Sequence, residues 1–258
     1  MDGELTGVNA LLRAEKLCKS FGGVTATDAV SLDILEGETH ALIGPNGAGK
    51  TTLVAQLSGL LQPDSGRIFF DKRDITRLPA HRRTHVGLGR SFQISSVFMG
   101  MTVVENVSLG VQAMLGHSFR FWRPAREMSE LRKPALEHLD TVGLADRSEV
   151  RASSLSHGER RQLEIAMALT AKPKLLLLDE PMAGLGPEET KQMIATLRAL
   201  KGVTMLLVEH DMDAVFALAD RISVLVYGRT IATGAPDEIR SNRGVIQAYL
   251  GESDECFE

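Results

Sequence analysis

Residues 40 to 56, HALIGPNGAGKTTLVAQ, decide the fold. Ala41, Leu42 and Ile43 form an apolar run that reads as a short buried strand. Gly44-Pro45-Asn46-Gly47-Ala48-Gly49-Lys50-Thr51 then fits G-x-x-x-x-G-K-[ST], and Leu53, Leu57 and Leu60 follow at the spacing of one helix face. Strand, glycine-rich loop and helix in that order predict a phosphate-binding loop. The glycines let backbone N–H groups curl around phosphate oxygens, where Cβ atoms would obstruct them. The helix points the positive end of its dipole at the same anion. In this pattern Lys50 reaches the β- and γ-phosphates, and the Thr51 hydroxyl is placed to ligate Mg²⁺.

Composition bounds the rest. The chain has 258 residues, 43% hydrophobic and 24% charged, the profile of a globular protein with one large domain or two small ones. Its net charge of −4, without a long like-charge run, gives no reason to expect nucleic acid as a partner. Cys18 and Cys256 are far apart and read as free thiols of a reducing compartment. No apolar run has the length of a membrane span, and the acidic start MDGELTGVNALL lacks the basic opening of a signal peptide. These features predict a cytosolic protein that reaches a membrane only through a partner.

Ahead of the loop, Leu12 to Phe21 and Val30 to Leu35 read as strands, the latter with Val30, Leu32 and Ile34 alternating with Ser31 and Asp33. Pro63-Asp64-Ser65-Gly66 is a turn, and Arg67 to Phe70 a short strand, so the early core is expected to be partly antiparallel. Pro79 to Arg83 is basic and helical. Thr102-x-x-Glu105 is a capping box opening a helix to about Leu115. A second helical stretch runs from about Ala125 to Val142, interrupted at Pro134. Between them, His117 to Pro124 carries Phe119, Phe121 and Trp122, a surface loop or a contact for a partner or a membrane surface.

From residue 153 the pattern becomes strand–helix–strand. Leu175 to Leu178 is apolar on both faces, as a central parallel strand requires. A helix from Pro187 to Leu200 and a strand from Val203 to Val208 would complete a right-handed crossover. A helix over Asp211–Ala219, a strand over Ile222–Tyr227, a hairpin through Gly228 and an amphipathic tail helix over Val245–Leu250 follow.

The remaining chemistry sits at strand ends. Asp179 closes the Leu run, where a carboxylate holds Mg²⁺ through water. Glu180, next along an extended backbone, faces elsewhere and is placed to polarise an attacking water. His210 follows the next buried strand at the same sheet edge and reads as a γ-phosphate contact. Gln93 taken alone is a surface glutamine. Leu155-Ser156-His157-Gly158-Glu159 is a polar loop opening an amphipathic helix with Leu163, Ile165, Ala166 and Leu169 inward, a second anion-binding helix start. One nucleotide needs only one phosphate loop, so the second device implies a site completed by another copy of the domain.

Taken together, these motifs resemble an ATP-binding cassette (ABC) ATPase over nearly the whole chain. GPNGAGKT resembles the Walker A motif, LLLLDEP the Walker B, LSHGE the signature and His210 the H-loop. Gln93 matches the Q-loop, and Phe21 stands where the family places an aromatic on adenine. The resemblance extends the nucleotide contacts from Gly44, Pro45, Asn46, Gly47, Ala48, Gly49, Lys50 and Thr51 to Thr52, Ser156 and Gly158. It puts Thr51, Gln93 and Asp179 around Mg²⁺, and Glu180, His210 and Gln93 in catalysis. GLGRSFQ, MTVVENVSLG, RRQLEIAMAL, KLLLLDEPMAGLGP, VEHDMDAVFALADRISVLVYGR and VIQAYLG are similar to the long ATP-binding subunit of branched-chain amino acid importers, as is the extra segment around 112–134. Two departures stand out. His157 and Glu159 replace Gly and Gln of the signature, and Gly186 replaces the Asp or Asn of the D-loop, so a side-chain bond across the dimer is lost or passes to backbone.

The resemblance implies an α/β P-loop NTPase (RecA-like) core with a mixed parallel sheet, an N-terminal antiparallel β subdomain and an inserted α-helical subdomain. One ABC domain over 1–258 is expected, with 1–92 and 160–258 as the core and 93–159 as the helical insertion. It implies ATP and Mg²⁺ as ligands, and a head-to-tail homo- or heterodimer driving permease subunits at the cytoplasmic face of the membrane. A solute-binding protein would act indirectly. Urea, amide or lipopolysaccharide transport is the alternative within transporters. A cytosolic ABC protein would usually have tandem cassettes or a coiled-coil insertion, and a GTPase an N-K-x-D motif; neither is present.

Overall fold

The computed structural model describes residues 10–90, 97–115, 129–200 and 202–250. Gln93 and the His117–Pro124 segment lie outside them. The chain divides into two compact units, Met1–Arg83 with Gly202–Glu258, and Thr84–Lys201.

The first unit begins with β1 (Ala10–Phe21), β2 (Val24–Leu35), β3 (Thr39–Ile43), α1 (Lys50–Ser58), β4 (Ser65–Phe70), β5 (Arg73–Asp74) and α2 (Ala80–His85). β2, β1, β4 and β5 form an antiparallel sheet in that order. On β2 the alternation is as read: Val30, Leu32 and Ile34 are buried, and Ser31 is exposed. The strand expected from Arg67 starts earlier, at Ser65. Gly66, at φ 95°, bends within it rather than before it, against the carbonyls of Glu15 and Lys16.

The chain enters the second unit through β6 (Leu88–Arg90), α3 (Val103–Leu115), α4 (Ser129–Thr141), α5 (His157–Leu169), β7 (Leu175–Asp179) and α6 (Pro187–Ala199). The capping box at α3 is complete. Glu105 N–H donates to Thr102 Oγ1 (3.3 Å), and Thr102 N–H donates to Glu105 Oε2 (2.9 Å). α3, α4 and α5 pack on one another around Val107, Leu131, Leu139 and Leu163, all buried. Pro134 does not interrupt α4, which runs through it. Leu131, Ala135 and Leu139 all point inward, and burial of that stripe outweighs the one hydrogen bond that proline removes. β7 is buried at every residue and pairs in parallel with β6.

The first unit resumes with β8 (Thr204–Val208), α7 (Met212–Leu218), β9 (Arg221–Val226), β10 (Arg229–Gly234), α8 (Pro236–Arg240) and α9 (Arg243–Leu250). β3 lies between β8 and β9, parallel to both, and β10 turns back antiparallel on β9, so this part of the sheet is mixed. Ala41 and Ile43 of β3 pack with Val215, Ile222, Val224, Ile239 and Val245, a core that brings both final helices onto the strand preceding the glycine loop.

α1 is shorter than its apolar spacing suggests. It stops at Ser58 because Gly59 takes the left-handed conformation (φ 80°) that closes a helix, and Leu60 beyond it is 61% exposed. The free carbonyls at this end are met by Arg83, which is fully buried. Its guanidinium donates to the carbonyls of Gln56 (2.9 Å), Leu57 (2.6 Å), Leu78 (2.8 Å) and Thr76 (2.9 Å). Burial lowers the Arg83 pKa to about 10, so the group is still charged at neutral pH. Arg83→Met should therefore cost roughly 3 kcal/mol in a urea unfolding midpoint, the scale for orphaning buried acceptors. Arg83→Lys should recover little of it, because an ammonium cannot reproduce the planar fork.

Candidate nucleotide site

The glycine loop leaves the end of β3 and enters α1 at Lys50. Gly44 and Gly49 are needed there for lack of space. A Cβ on Gly44 would stand 2.0 Å from the Leu225 carbonyl oxygen, and one on Gly49 2.1 Å from that of Ala26. The loop is thus pressed between β9 and β2. A further backbone bond fixes it: Gly228 N–H donates to the Ala48 carbonyl (2.9 Å), and the Gly228 carbonyl accepts from Asp28 N–H (2.7 Å). Tyr227 and Gly228 form the two-residue turn between β9 and β10, both at positive φ as such hairpins require.

Lys50 is buried and folded into the loop, its ammonium donating to the carbonyls of Gly44 and Pro45. Asn46, Gly47 and Thr51 face solvent, Pro45, Gly49 and Thr52 are half-buried, and Ala48 is buried. The register of β3 against β8 pairs Leu42 with Val208, so the glycine loop and the segment that carries His210 leave neighbouring parallel strands at the same carboxyl edge of the sheet. His210 is exposed, while Glu209 beside it is buried and accepts the His210 N–H (3.1 Å).

Phe21 ends β1 at a hairpin tip, 52% exposed, with Val24 opposite. Two residues past Val24, Ala26 meets Gly49, so a short piece of β2 ties the aromatic to the phosphate loop. The Lys19 ammonium lies 5.7 Å from the Phe21 ring centre and is bonded to Asp64 (2.6 Å), whose carboxyl it holds below the usual range. Phe21 is therefore a surface platform and not a core residue.

In the second unit, Asp179 closes β7, almost fully buried, and the Arg90 guanidinium lies 3.3 Å from it. Glu180 does not continue the extended backbone. Its φ is +51°, a left-handed bend that a glutamate adopts only when its surroundings impose it, so its side chain is aimed by a kink rather than by strand alternation. Such strain is a common mark of functional positions.

Ser156 caps α5, its Oγ accepting the Glu159 N–H (3.2 Å) while Glu159 Oε2 accepts the Ser156 N–H (2.8 Å). The amphipathic face is as read, with Gly158, Leu163, Ile165, Ala166 and Leu169 buried. One contact was not legible in the sequence. Glu189 of α6 reaches the start of α5: its Oε1 accepts from Ser156 Oγ (3.1 Å) and from Gly158 N–H (3.2 Å), and its Oε2 from Gly186 N–H (3.3 Å). The amides of Gly186 and Gly158 and the Ser156 hydroxyl hold this carboxyl below its usual range. His157 approaches the same segment, with Nε2 3.3 Å from the Ala183 carbonyl. Gly186-Pro187-Glu188-Glu189 does signal that Glu189 caps α6, but nothing in the sequence links it to Ser156, 33 positions away.

Among the described residues no group of three or more His, Cys, Asp or Glu is gathered for a metal, and no helix is long and apolar enough to cross a membrane. Thr51 and Asp179 each carry an oxygen donor of the kind that Mg²⁺ takes.

Residues 27–183 match the family model described as "ABC transporter", and residues 229–255 that described as "Branched-chain amino acid ATP-binding cassette transporter". Over 251 residues the chain is 42% identical to the high-affinity branched-chain amino acid transport ATP-binding protein LivG of Salmonella typhimurium, covering 94% of this chain and 98% of that one. The lipopolysaccharide export system ATP-binding protein LptB of Acidithiobacillus ferridurans is 39% identical over 95% of this chain and 98% of its own. In structure the chain is similar to the ADP conformation of MJ1267, an ATP-binding cassette of an ABC transporter, with a TM-score of 0.82, 31% identity, and coverage of 94% of this chain and 99% of that one. With phosphate loop, LSHGE helix start and family model in agreement, the chain belongs to the ABC transporter family and is one of its ATP-binding cassettes.

Proposed function

We propose that this chain is the ATP-hydrolysing subunit of an importer for branched-chain or similar small amino acids. The observation that carries the enzymatic half is the phosphate loop clamped at the carboxyl edge of the sheet, with Lys50 folded inside it. The match of residues 229–255 to the branched-chain amino acid cassette model supports the solute over lipopolysaccharide. The core is assigned to 1–92 and 160–258 and the helical insertion to 93–159.

In this reading, Lys50 exchanges its two loop carbonyls for phosphate oxygens when ATP enters. The loop amides from Pro45 to Thr52 that carry an N–H surround the phosphates, and Phe21 offers its exposed face to the adenine. The Thr51 hydroxyl and the carboxylate of Asp179 are the protein oxygens for Mg²⁺, joined by Gln93 as its motif implies. Held there, Mg²⁺ would supply charge neutralisation to the phosphates. Glu180 accepts a proton from the attacking water, and His210 donates to the γ-phosphate. Ser156 and Gly158 serve the ATP held by a second cassette, identical or related, with the pair closing head to tail. Permease subunits anchor the pair at the cytoplasmic face of the membrane, and a solute-binding protein acts upstream of them.

Three measurements test this reading. Lys50→Ala should lose most ATP affinity in equilibrium titration and all turnover, because a buried point charge aimed at the phosphates is gone; near-normal activity would remove the loop from the mechanism. Glu180→Gln should still bind MgATP but hydrolyse it at least roughly 100-fold more slowly, the scale for deleting a general base. For the solute, the chain co-expressed with its permeases in liposomes should couple ATP hydrolysis to leucine uptake. Uptake of urea alone, or lipid-linked polysaccharide movement alone, would replace the assignment while keeping the ATPase.

A further inference from the structure

The start of α5 already holds an anion, and that anion belongs to the chain. Glu189 Oε1 accepts from the Ser156 hydroxyl and the Gly158 amide, while Oε2 stays on the Gly186 amide at the start of α6. Serine hydroxyl, second amide of the helix and positive helix end together form an oxyanion seat. A carboxylate oxygen and a phosphate oxygen satisfy such a seat in the same way. There is little slack in the fit: a Cβ on Gly158 would stand 3.0 Å from Glu189 Oε1.

We propose that Glu189 is a resident stand-in for the γ-phosphate. In the cassette without nucleotide it occupies the seat formed by Ser156 and Gly158, and closure on the ATP of a second cassette must displace it. This rests on the reading above that the LSHGE loop receives phosphate from across a dimer. Two oxyanions cannot share two donors, since both would have to occupy the same hydrogen-bonding positions and their charges repel at contact distance. Closure therefore exchanges one anion for another instead of filling an empty seat. A lone cassette stays closed to stray phosphate, and more ATP is needed to drive dimerisation. Displacement also releases the tie between the starts of α5 and α6. The freed segment, Ala183 to Gly186, is the one His157 touches, so arrival of the phosphate is transmitted to the backbone beyond Glu180.

The experiment compares the wild-type chain with Glu189→Gln and Glu189→Asp. Glutamine keeps the cap on Gly186 but loses the charge. Aspartate keeps the charge but is one methylene too short to reach both Ser156 and Gly158. Dimer formation is followed by sedimentation velocity against a non-hydrolysable MgATP analogue, with Ser156→Arg as control, and thermal midpoints confirm folding. Both Glu189 variants should dimerise at lower analogue concentration, by about tenfold for the loss of one charge-assisted hydrogen bond. In the unliganded protein, hydrogen exchange at the Gly158 amide should be faster in both. Analogue binding to the monomer should not move. An unchanged or raised dimerisation midpoint, with Ser156→Arg still abolishing the dimer, overturns the inference and leaves the function intact. Unchanged exchange at Gly158 overturns it directly. A wild-type chain that never dimerises with the analogue, or a Ser156→Arg chain that dimerises normally, overturns the phosphate-seat reading and this inference with it.

Discussion

The space between two backbones governs the nucleotide site. The loop from Gly44 to Gly49 runs so close to the carbonyls of Leu225 and Ala26 that no side chain fits at either glycine. Dense packing of this kind transmits position without relying on flexible side chains. It explains why distant parts of the sequence matter to a short loop. The turn at Tyr227–Gly228 holds Ala48, the antiparallel sheet holds Gly49, and the final helices hold the strand that delivers Gly44. Phe21 takes its place from the same scaffold through β2, and His210 follows β8, the parallel neighbour of β3.

A second theme is that the charged groups at the starts of α1 and α5 have partners within the chain. Lys50 donates to the carbonyls of its own loop, and Glu189 accepts from the start of α5. Lys50 is buried, and leaving its ammonium bare would cost the folded chain stability, since buried polar groups without partners are expensive. Under the proposed function, binding is exchange. The net gain is smaller than the gross interaction, which suits a protein that must release its nucleotide in every cycle.

Much of the fold was legible because it depends on local order. The strand–loop–helix around Lys50, the apolar run Leu175–Leu178, the capping box at Thr102 and the alternation on β2 are each written within a few residues, and each formed as read. Where local reading failed, a neighbour decided. Leu60 has the right spacing for α1, but Gly59 ends the helix first. Pro134 has the wrong chemistry for a helix interior, but Leu131, Ala135 and Leu139 needed one continuous face. Glu180 was read on an extended backbone, yet the chain bends left-handed there.

The sequence by itself determined the family and the residue types of the phosphate loop, because backbone curvature, a lysine and a hydroxyl must lie in one short order to hold phosphate. Only the tertiary structure decided what those groups do without a ligand. It placed Ala26 and Leu225 against the glycines, turned Lys50 inward, left Phe21 at the surface and set Glu189 on Ser156 and Gly158. The physical reason is range. Helix starts, strand alternation and turns are set by neighbours along the chain, whereas the partner of a buried charge is set by whatever the packed elements bring within about 3 Å of it.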